Sequence, residues 1–352
     1  MKKIVVVGVN WIGDALFIIP ALKAIKNSFP DSYLTVALPK RASRILKHNP
    51  IIDEIIIFDE KDSQRSLVKK IKFISIIRKK HFDKVIFFHR SFTRTLIFSL
   101  GRIPEREGYC RGKTKLLLTK CAPKLNKDSV HKAEFFLELV KQLGYSPLEL
   151  SYQFYVTPED ISQGKTILSS FKINPQEKII SLHPGANWAP KRWPLHHYIK
   201  LIELILNWDN TKRILILGSL KDKHLALKIK SGFKNSKNIF DLTGLTSLGS
   251  LGAISLFSDI FISGDSGPLH IACASIPLFQ TDEYTNAFSI GLYGATSQEL
   301  TGPLNGNFVT FAGERKKSCQ LPCHDFNCTD YTCMKSIIPE KIFEIIKNKL
   351  ST

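Results

Sequence analysis

The 352-residue chain is longer than a single hydrophobic core usually grows, so two domains are the starting expectation. Its 43% hydrophobic and 10% aromatic content excludes a disordered composition, and no stretch reaches the roughly 18 uninterrupted apolar residues of a membrane span. Fifty Lys and Arg against 31 Asp and Glu give a formal charge of +19, which either draws polyanions (nucleic acid, anionic lipid, phosphorylated substrates) or decorates solvated faces.

The opening MKKIVVVGVNWIGDALF sets two lysines before an apolar run, as a signal peptide does. Asn10, Gly13 and Asp14 interrupt that run and no small-residue cleavage site follows, so it reads as a buried first strand of a soluble, cytoplasmic protein. A helix from Ala15 to Phe29, closed by Pro30, comes next, then the strands SYLTVALP and IDEIIIF. Helical spacing covers Gln64 to Lys80, and DKVIFFH resumes the strand pattern. The alternation restarts with EKIISLHPG, a helix from Leu195 to Trp208, RILILGS, a helix from Lys221 to Phe233 and NIFDLTG. A helix from Ser247 to Phe257, the strands DIFISGD and SIGLYGA, and a last helix from about Pro339 to Leu350 complete it. Such βαβ alternation predicts an α/β protein of two doubly wound halves with parallel sheets. The join is placed near 155–178, at polar YVTPEDISQGKT, giving an acceptor-side domain 1–160, a second domain 175–337 and a terminal helix 338–352.

Three strand ends carry chemistry. The loop Val9 to Asp14 follows a strand and opens a helix, with Gly13 permitting close backbone approach; Asp14 is either a helix-capping carboxylate or a general base for an acceptor hydroxyl. The string His183-Pro184-Gly185-Ala186 is followed by Lys191-Arg192-Trp193, a basic pair that is either solvated or set against a diphosphate. Gly264-Asp265-Ser266-Gly267-Pro268-Leu269-His270 ends a strand and starts an apolar helix, with Asp-Ser-Gly as an N-terminal cap whose amides suit an anion. The strand RILILGS ends at Gly218-Ser219, near Asp222, a candidate ribose partner.

These strings, with NWIGDALFIIPALKAIKNSFP, LTGLTSLGSLGAISLFSDIFISGDSGPLHIA and GLYGATSQELTGP, resemble the ADP-heptose:lipopolysaccharide heptosyltransferases, glycosyltransferase family 9. The resemblance runs over nearly the whole chain and is nearer the second heptosyltransferase than the first. It implies a GT-B fold, two Rossmann-like domains facing across a cleft, with an ADP-sugar donor in the C-terminal domain and an acceptor in the N-terminal one. By the same resemblance Asp14 is the base, Lys191 stabilises the departing diphosphate, and Asp222 contacts the ribose. Asp265, Ser266, Gly267 and His270 match the donor loop, with His183, Gly185, Arg192, Ser219, Pro268 and Leu269 beside them. The implied reaction inverts the anomeric carbon of ADP-heptose onto an acidic lipopolysaccharide inner core, without a catalytic metal, by an enzyme peripheral to the inner membrane.

The segment containing Arg90, Arg94, Arg102, Arg106, Arg111, Lys113 and Lys115 resembles the family's acceptor side; with Gly13 it suits an acidic acceptor, or else is a solvated basic face. A transferase for another nucleotide sugar and surface glycan is the alternative. A nucleic-acid-binding protein ranks lower, since the chain shows no helix-turn-helix or RNP signature. Two features depart from the family: extra residues 278–288, and the tail Cys319, Cys323, Cys328 and Cys333 with His324 among them. That spacing suits either a tetrahedral structural zinc or packed thiols. Seven cysteines, an odd number in a chain without a secretion signal, argue against a disulfide framework.

Overall fold

The computed structural model describes every residue except 61–63, 124, 125, 127, 128, 148, 234–236, 280–283, 322, 324, 326 and 352. The chain divides into two units, Met1–Gln153 and Phe154–Thr352.

In the first unit six strands, β1 (Lys3–Val7), β2 (Tyr33–Leu38), β3 (Glu54–Ile57), β4 (Lys84–Phe87), β5 (Glu105–Tyr109) and β6 (Lys120–Ala122), pair in the order β3-β2-β1-β4-β5-β6. All five pairings are parallel. Valine and isoleucine fill the central strands because a parallel sheet is covered on both faces and has no wet side. The covering helices are α1 (Ile12–Phe17), α2 (Ile19–Ser28), α3 (Lys40–Leu46), α4 (Leu67–Lys80), α5 (Phe92–Leu100) and α6 (Lys132–Gln142). On one face Phe58, Phe73, Phe87 and Phe98 interlock as stacked and edge-on rings.

The second unit repeats the plan. Strands β8 (Ile179–His183), β9 (Arg213–Ile216), β10 (Ile239–Asp241), β11 (Ile260–Gly264), β13 (Phe288–Tyr293) and β14 (Phe308–Ala312) pair as β10-β9-β8-β11-β13-β14, again all parallel. A small parallel pair joins β7 (Phe154–Val156) to β12 (Ser275–Pro277). The helices are α7 (Pro158–Ser170), α8 (Leu195–Trp208), α9 (Lys223–Lys230), α10 (Leu248–Phe257), α11 (Gly267–Ala274), α12 (Gln298–Thr301), α13 (Thr332–Lys335) and α14 (Pro339–Ser351). Ile342 and Ile346 of α14 lie in the same core as Trp193, whose indole N–H donates to the Ile337 carbonyl at 2.8 Å, so the terminal helix is built into this unit. In both sheets the strand order reverses once, between β1 and β4 and between β8 and β11, the place where ligands of doubly wound folds sit.

Several expected boundaries shift. The helix expected from Ala15 to Phe29 is two, α1 and α2, broken at Ile18. Pro20 explains the break: its ring displaces the carbonyl four residues earlier and it offers no N–H to the ladder. The helix expected from Gln64 starts at Leu67, where Ser66 caps it by accepting from the Lys69 amide at 3.3 Å. That expected over Lys221 to Phe233 is a 3-10 turn, Leu220–Asp222, leading into α9. The stretch read as a join holds β7 and α7 instead: Thr157 and Asp160 close a reciprocal capping box, and Gly164 lets α10 approach so closely that a Cβ there would lie 2.9 Å from the Ala253 methyl. The seven cysteines argue against a disulfide framework, yet one pair, Cys110 and Cys121, forms a disulfide. The adjacent strand ends bring them together, with Tyr109 registered on Ala122 and Cα atoms 5.1 Å apart.

Candidate functional site

In the second unit the candidate donor residues gather at the carboxyl ends of β8, β9 and β11. Gly264 closes β11, and a Cβ there would lie 2.7 Å from the backbone oxygen of Lys191. Only glycine therefore lets the loop after β8 cross the strand tip, and this crossing delivers the Lys191 side chain to Asp265. The ammonium lies 2.6 Å from one carboxylate oxygen of Asp265 and 3.4 Å from its backbone carbonyl, while His270 Nε2 lies 3.7 Å from the other carboxylate oxygen. Asp265 is nearly enclosed. Burial alone would raise its carboxyl, but the hydrogen bond and charge from His270 and the charge of Lys191 outweigh it and hold the group well below the usual carboxylate range.

The cap at α11 differs from the one expected. Ser266 occupies the N-cap position, yet its hydroxyl makes no cap hydrogen bond; it pairs with Ser263 Oγ at 2.8 Å. Ser263 in turn meets His183 Nδ1 at 3.2 Å, so β8, β11 and the α11 entrance are tied by one polar chain. The first amides of α11 are left without a side-chain cap, the arrangement that receives anions. Burial is the main cause that pulls the His183 imidazole down to about 4, with Asp222 opposing it, so at neutral pH this histidine is an uncharged hydrogen-bonding link. Pro268 occupies the first turn of α11, and Leu269 is fully buried against Cys273 and Tyr293; it packs the helix rather than facing a ligand.

Asp222 is held by Ser219, whose amide and hydroxyl donate to it at 2.9 and 2.6 Å. Gly185 and Gly218 press around it: a Cβ at either would lie 2.6 and 2.9 Å from Asp222 atoms. The HPG turn, the β9 end and this carboxylate thus form one surface. Arg192 donates to the Ala186 carbonyl at 3.0 Å and fixes that loop.

In the first unit, Asp14 lies in the first turn of α1, beyond the end of β1, with Gly13 before it and Lys132 Nζ 3.1 Å from its carboxylate. Lys132, on α6, was not singled out from the sequence; with the partners 118 positions apart, no local pattern reveals the pair. Arg94, expected to face an acceptor, is buried instead. Its guanidinium donates to Asn10 Oδ1 at 2.8 Å and pairs with Glu60, so it braces the loop that carries Asp14. Arg106 donates to the carbonyls of Leu117 and Ile103 and is likewise a brace. Arg90 lies over the rings of Tyr109 and Phe135, at 4.7 and 5.1 Å. Arg102, Arg111, Lys113 and Lys115 are exposed, the last three around the 3-10 turn Gly112–Leu117.

The tail cysteines Cys319, Cys323, Cys328 and Cys333 line one small cavity with Pro190, Gly294 and Arg315. Among the described residues no group of three Cys, His, Asp or Glu is found that could hold a metal ion. His324 lies outside the described residues, as do residues 280–283 of the extra segment.

The family model of glycosyltransferase family 9 (heptosyltransferase) matches residues 70–328. The chain is 27% identical over 320 residues to the lipooligosaccharide heptosyltransferase 2 of Haemophilus ducreyi, covering 87% of each chain. Its structure is similar to that of a family 9 glycosyl transferase from Veillonella parvula (TM-score 0.85, 20% identity, 99% of this chain and 97% of that one). It is also similar to the ADP-heptose LPS heptosyltransferase II of E. coli (TM-score 0.77, 22% identity, 100% and 99% covered), so the GT-B fold is shared. With the family model spanning well over half its length, the chain belongs to glycosyltransferase family 9.

Proposed function

We propose that this protein transfers heptose from ADP-heptose to the acidic inner core of lipopolysaccharide, with inversion at the anomeric carbon. The observation that carries the reading is the cation Lys191, fixed by Asp265 beside a helix end whose amides have no side-chain cap. That is the equipment a departing nucleoside diphosphate requires. The relatives named for heptosyltransferase activity supply the sugar, and the basic surface of the first unit suits an acceptor bearing phosphates and carboxylates.

In the reaction, the acceptor hydroxyl oxygen bonds to the anomeric carbon from the side opposite the diphosphate. The bond from that carbon to the β-phosphate oxygen breaks, and its electron pair leaves with ADP. Asp14 takes the hydroxyl proton, with Lys132 orienting the carboxylate. Lys191 and the α11 amides take up the charge that develops on ADP. Asp222, steadied by Ser219, is placed for ribose hydroxyls at the β9 end. The protein works from the cytoplasmic side of the inner membrane, on a lipid-borne acceptor.

The test is transfer from ADP-heptose to truncated core glycolipids by wild type and Asp14→Asn. A fall in turnover of about 10²–10⁴ is expected, the usual worth of a positioned base. Unchanged turnover removes Asp14 from this role, and transfer with other sugar nucleotides but not ADP-heptose shifts the donor assignment.

A further inference from the structure

Helix α4 carries a surface that the transfer chemistry does not use. Its sequence, LVKKIKFISIIRKK, contains six cations (Lys69, Lys70, Lys72, Arg78, Lys79 and Lys80) and no acidic residue. Phe73 and Ile77 turn inward and seat the helix on the phenylalanine core. Ile74 packs partly against the same core, and the other four aliphatics face out: Leu67 is 73% exposed, Val68 62%, Ile71 58% and Ile76 49%. Val68 and Ile71, one turn apart, share the outward face of the helix with Lys72 and Lys79, all four exposed. Single exposed leucines are ordinary, but four large aliphatics on one short helix, interleaved with lysines, are not. The exposed face continues at the far end. Arg78 donates to the Leu100 carbonyl at 2.9 Å, and Leu100, 45% exposed, closes α5 beside it.

We infer that the outer face of α4, with Leu100 at its end, docks the enzyme on an anionic bilayer. Lys80 pairs with Glu54 at 2.5 Å, but the apolar side chains set among Lys69, Lys72 and Lys79 match the interface of a membrane, where aliphatics enter the acyl boundary and lysines meet phosphate headgroups. The aliphatics have no use against nucleic acid, whose phosphates ask for cations alone. Among the described residues no helix is long and apolar enough to cross a membrane. The inference deepens the proposed function, because an enzyme whose acceptor is lipid-borne gains by lying on the surface that carries it. A purely electrostatic contact would be released completely by salt; here the aliphatics retain part of the binding.

The experiment measures co-sedimentation of the purified full chain with vesicles of phosphatidylcholine alone or with phosphatidylglycerol, without donor or acceptor. Wild type is expected on the anionic vesicles, weakened but not abolished by salt. Lys69→Glu/Lys72→Glu/Lys79→Glu loses affinity on the order of 100-fold, and Val68→Asn/Ile71→Asn about tenfold together with the salt-resistant fraction. The control Lys335→Glu/Lys341→Glu/Lys347→Glu, three exposed lysines elsewhere, makes the same charge change and leaves most binding intact. Equal loss in the control, wild-type binding by both α4 variants, or capture by RNA with none on vesicles overturns the docking face. Melting curves confirm that each variant is folded. Turnover on a water-soluble truncated acceptor is unchanged in the α4 variants, so failure of the docking face and failure of the transferase reading give different results.

Discussion

Replacing Lys191 by alanine separates two roles of one ammonium group. The pair it forms with Asp265 is largely withdrawn from water, the two side chains being 18% and 7% exposed. Breaking an ion pair of this kind costs about 3–5 kcal/mol when the abandoned charge has no other partner. His270 at 3.7 Å and the residual exposure of Lys191 place the loss near the lower end of that range, a fall in Tm of about 5–10 °C for a unit of this size. Turnover in Lys191→Ala falls by about 10²–10³, the usual worth of one preorganised group facing a developing anion. The double variant Lys191→Ala/Asp265→Asn distinguishes the effects. A carboxamide carries no charge to strand, so most of the lost Tm returns, while turnover stays low. Thermal melts and single-turnover ADP release read the two quantities separately. Recovery of turnover in the double variant, or wild-type Tm and turnover in Lys191→Ala, refutes the assignment.

Gly264→Ala places a methyl 2.7 Å from the Lys191 carbonyl oxygen, which then gives way by several tenths of an ångström; turnover drops by at least about tenfold and exceeds any loss in donor affinity, as kcat and KM measured apart will show. His183 predicts a pH effect on stability. Its folded-state value of about 4 lies below the ordinary 6.5, so the unfolded chain binds more protons between those limits and stability falls as pH drops through that window. His183→Gln flattens this part of the Tm–pH curve; an unaltered slope would contradict a buried neutral imidazole. Asp265 acts at lower pH, its contribution present above the ordinary carboxylate range and lost as acid protonates it, so Asp265→Asn weakens the acid arm of the same curve. Zinc content of the purified protein decides between the two readings of the tail: a full equivalent per chain, lost in Cys323→Ser, shows that the thiols close around an ion, and no stoichiometric metal shows packed thiols.

The sheet framework was legible because buried parallel strands are nearly uninterrupted valine and isoleucine, as in KIVVV and IISLH. The DSGPLH turn was legible because a strand, a glycine tip and a proline-led helix follow one another locally. Short, polar strands were not: Glu105–Tyr109 and Lys120–Ala122 carry little hydrophobic signal and are defined by the neighbours they join. α7 was hidden for a related reason, its polar face outnumbering the Ile161 and Leu168 that anchor it. Arg94 was misplaced because an arginine beside an acceptor-like segment gives no sign of burial; its partners Asn10 and Glu60 come from distant loops. The Lys132–Asp14 and Cys110–Cys121 pairs likewise exist through tertiary crossings alone.

The glycines at 185, 218 and 264 carry a consequence for anyone reshaping donor preference by directed evolution. Each stands where even one added methyl would strike either Asp222 or the Lys191 backbone, so a random library loses its members at these codons regardless of the sugar offered. Productive diversity has to come from side chains at the rim of these turns, and libraries that hold the three codons fixed will sample it more efficiently.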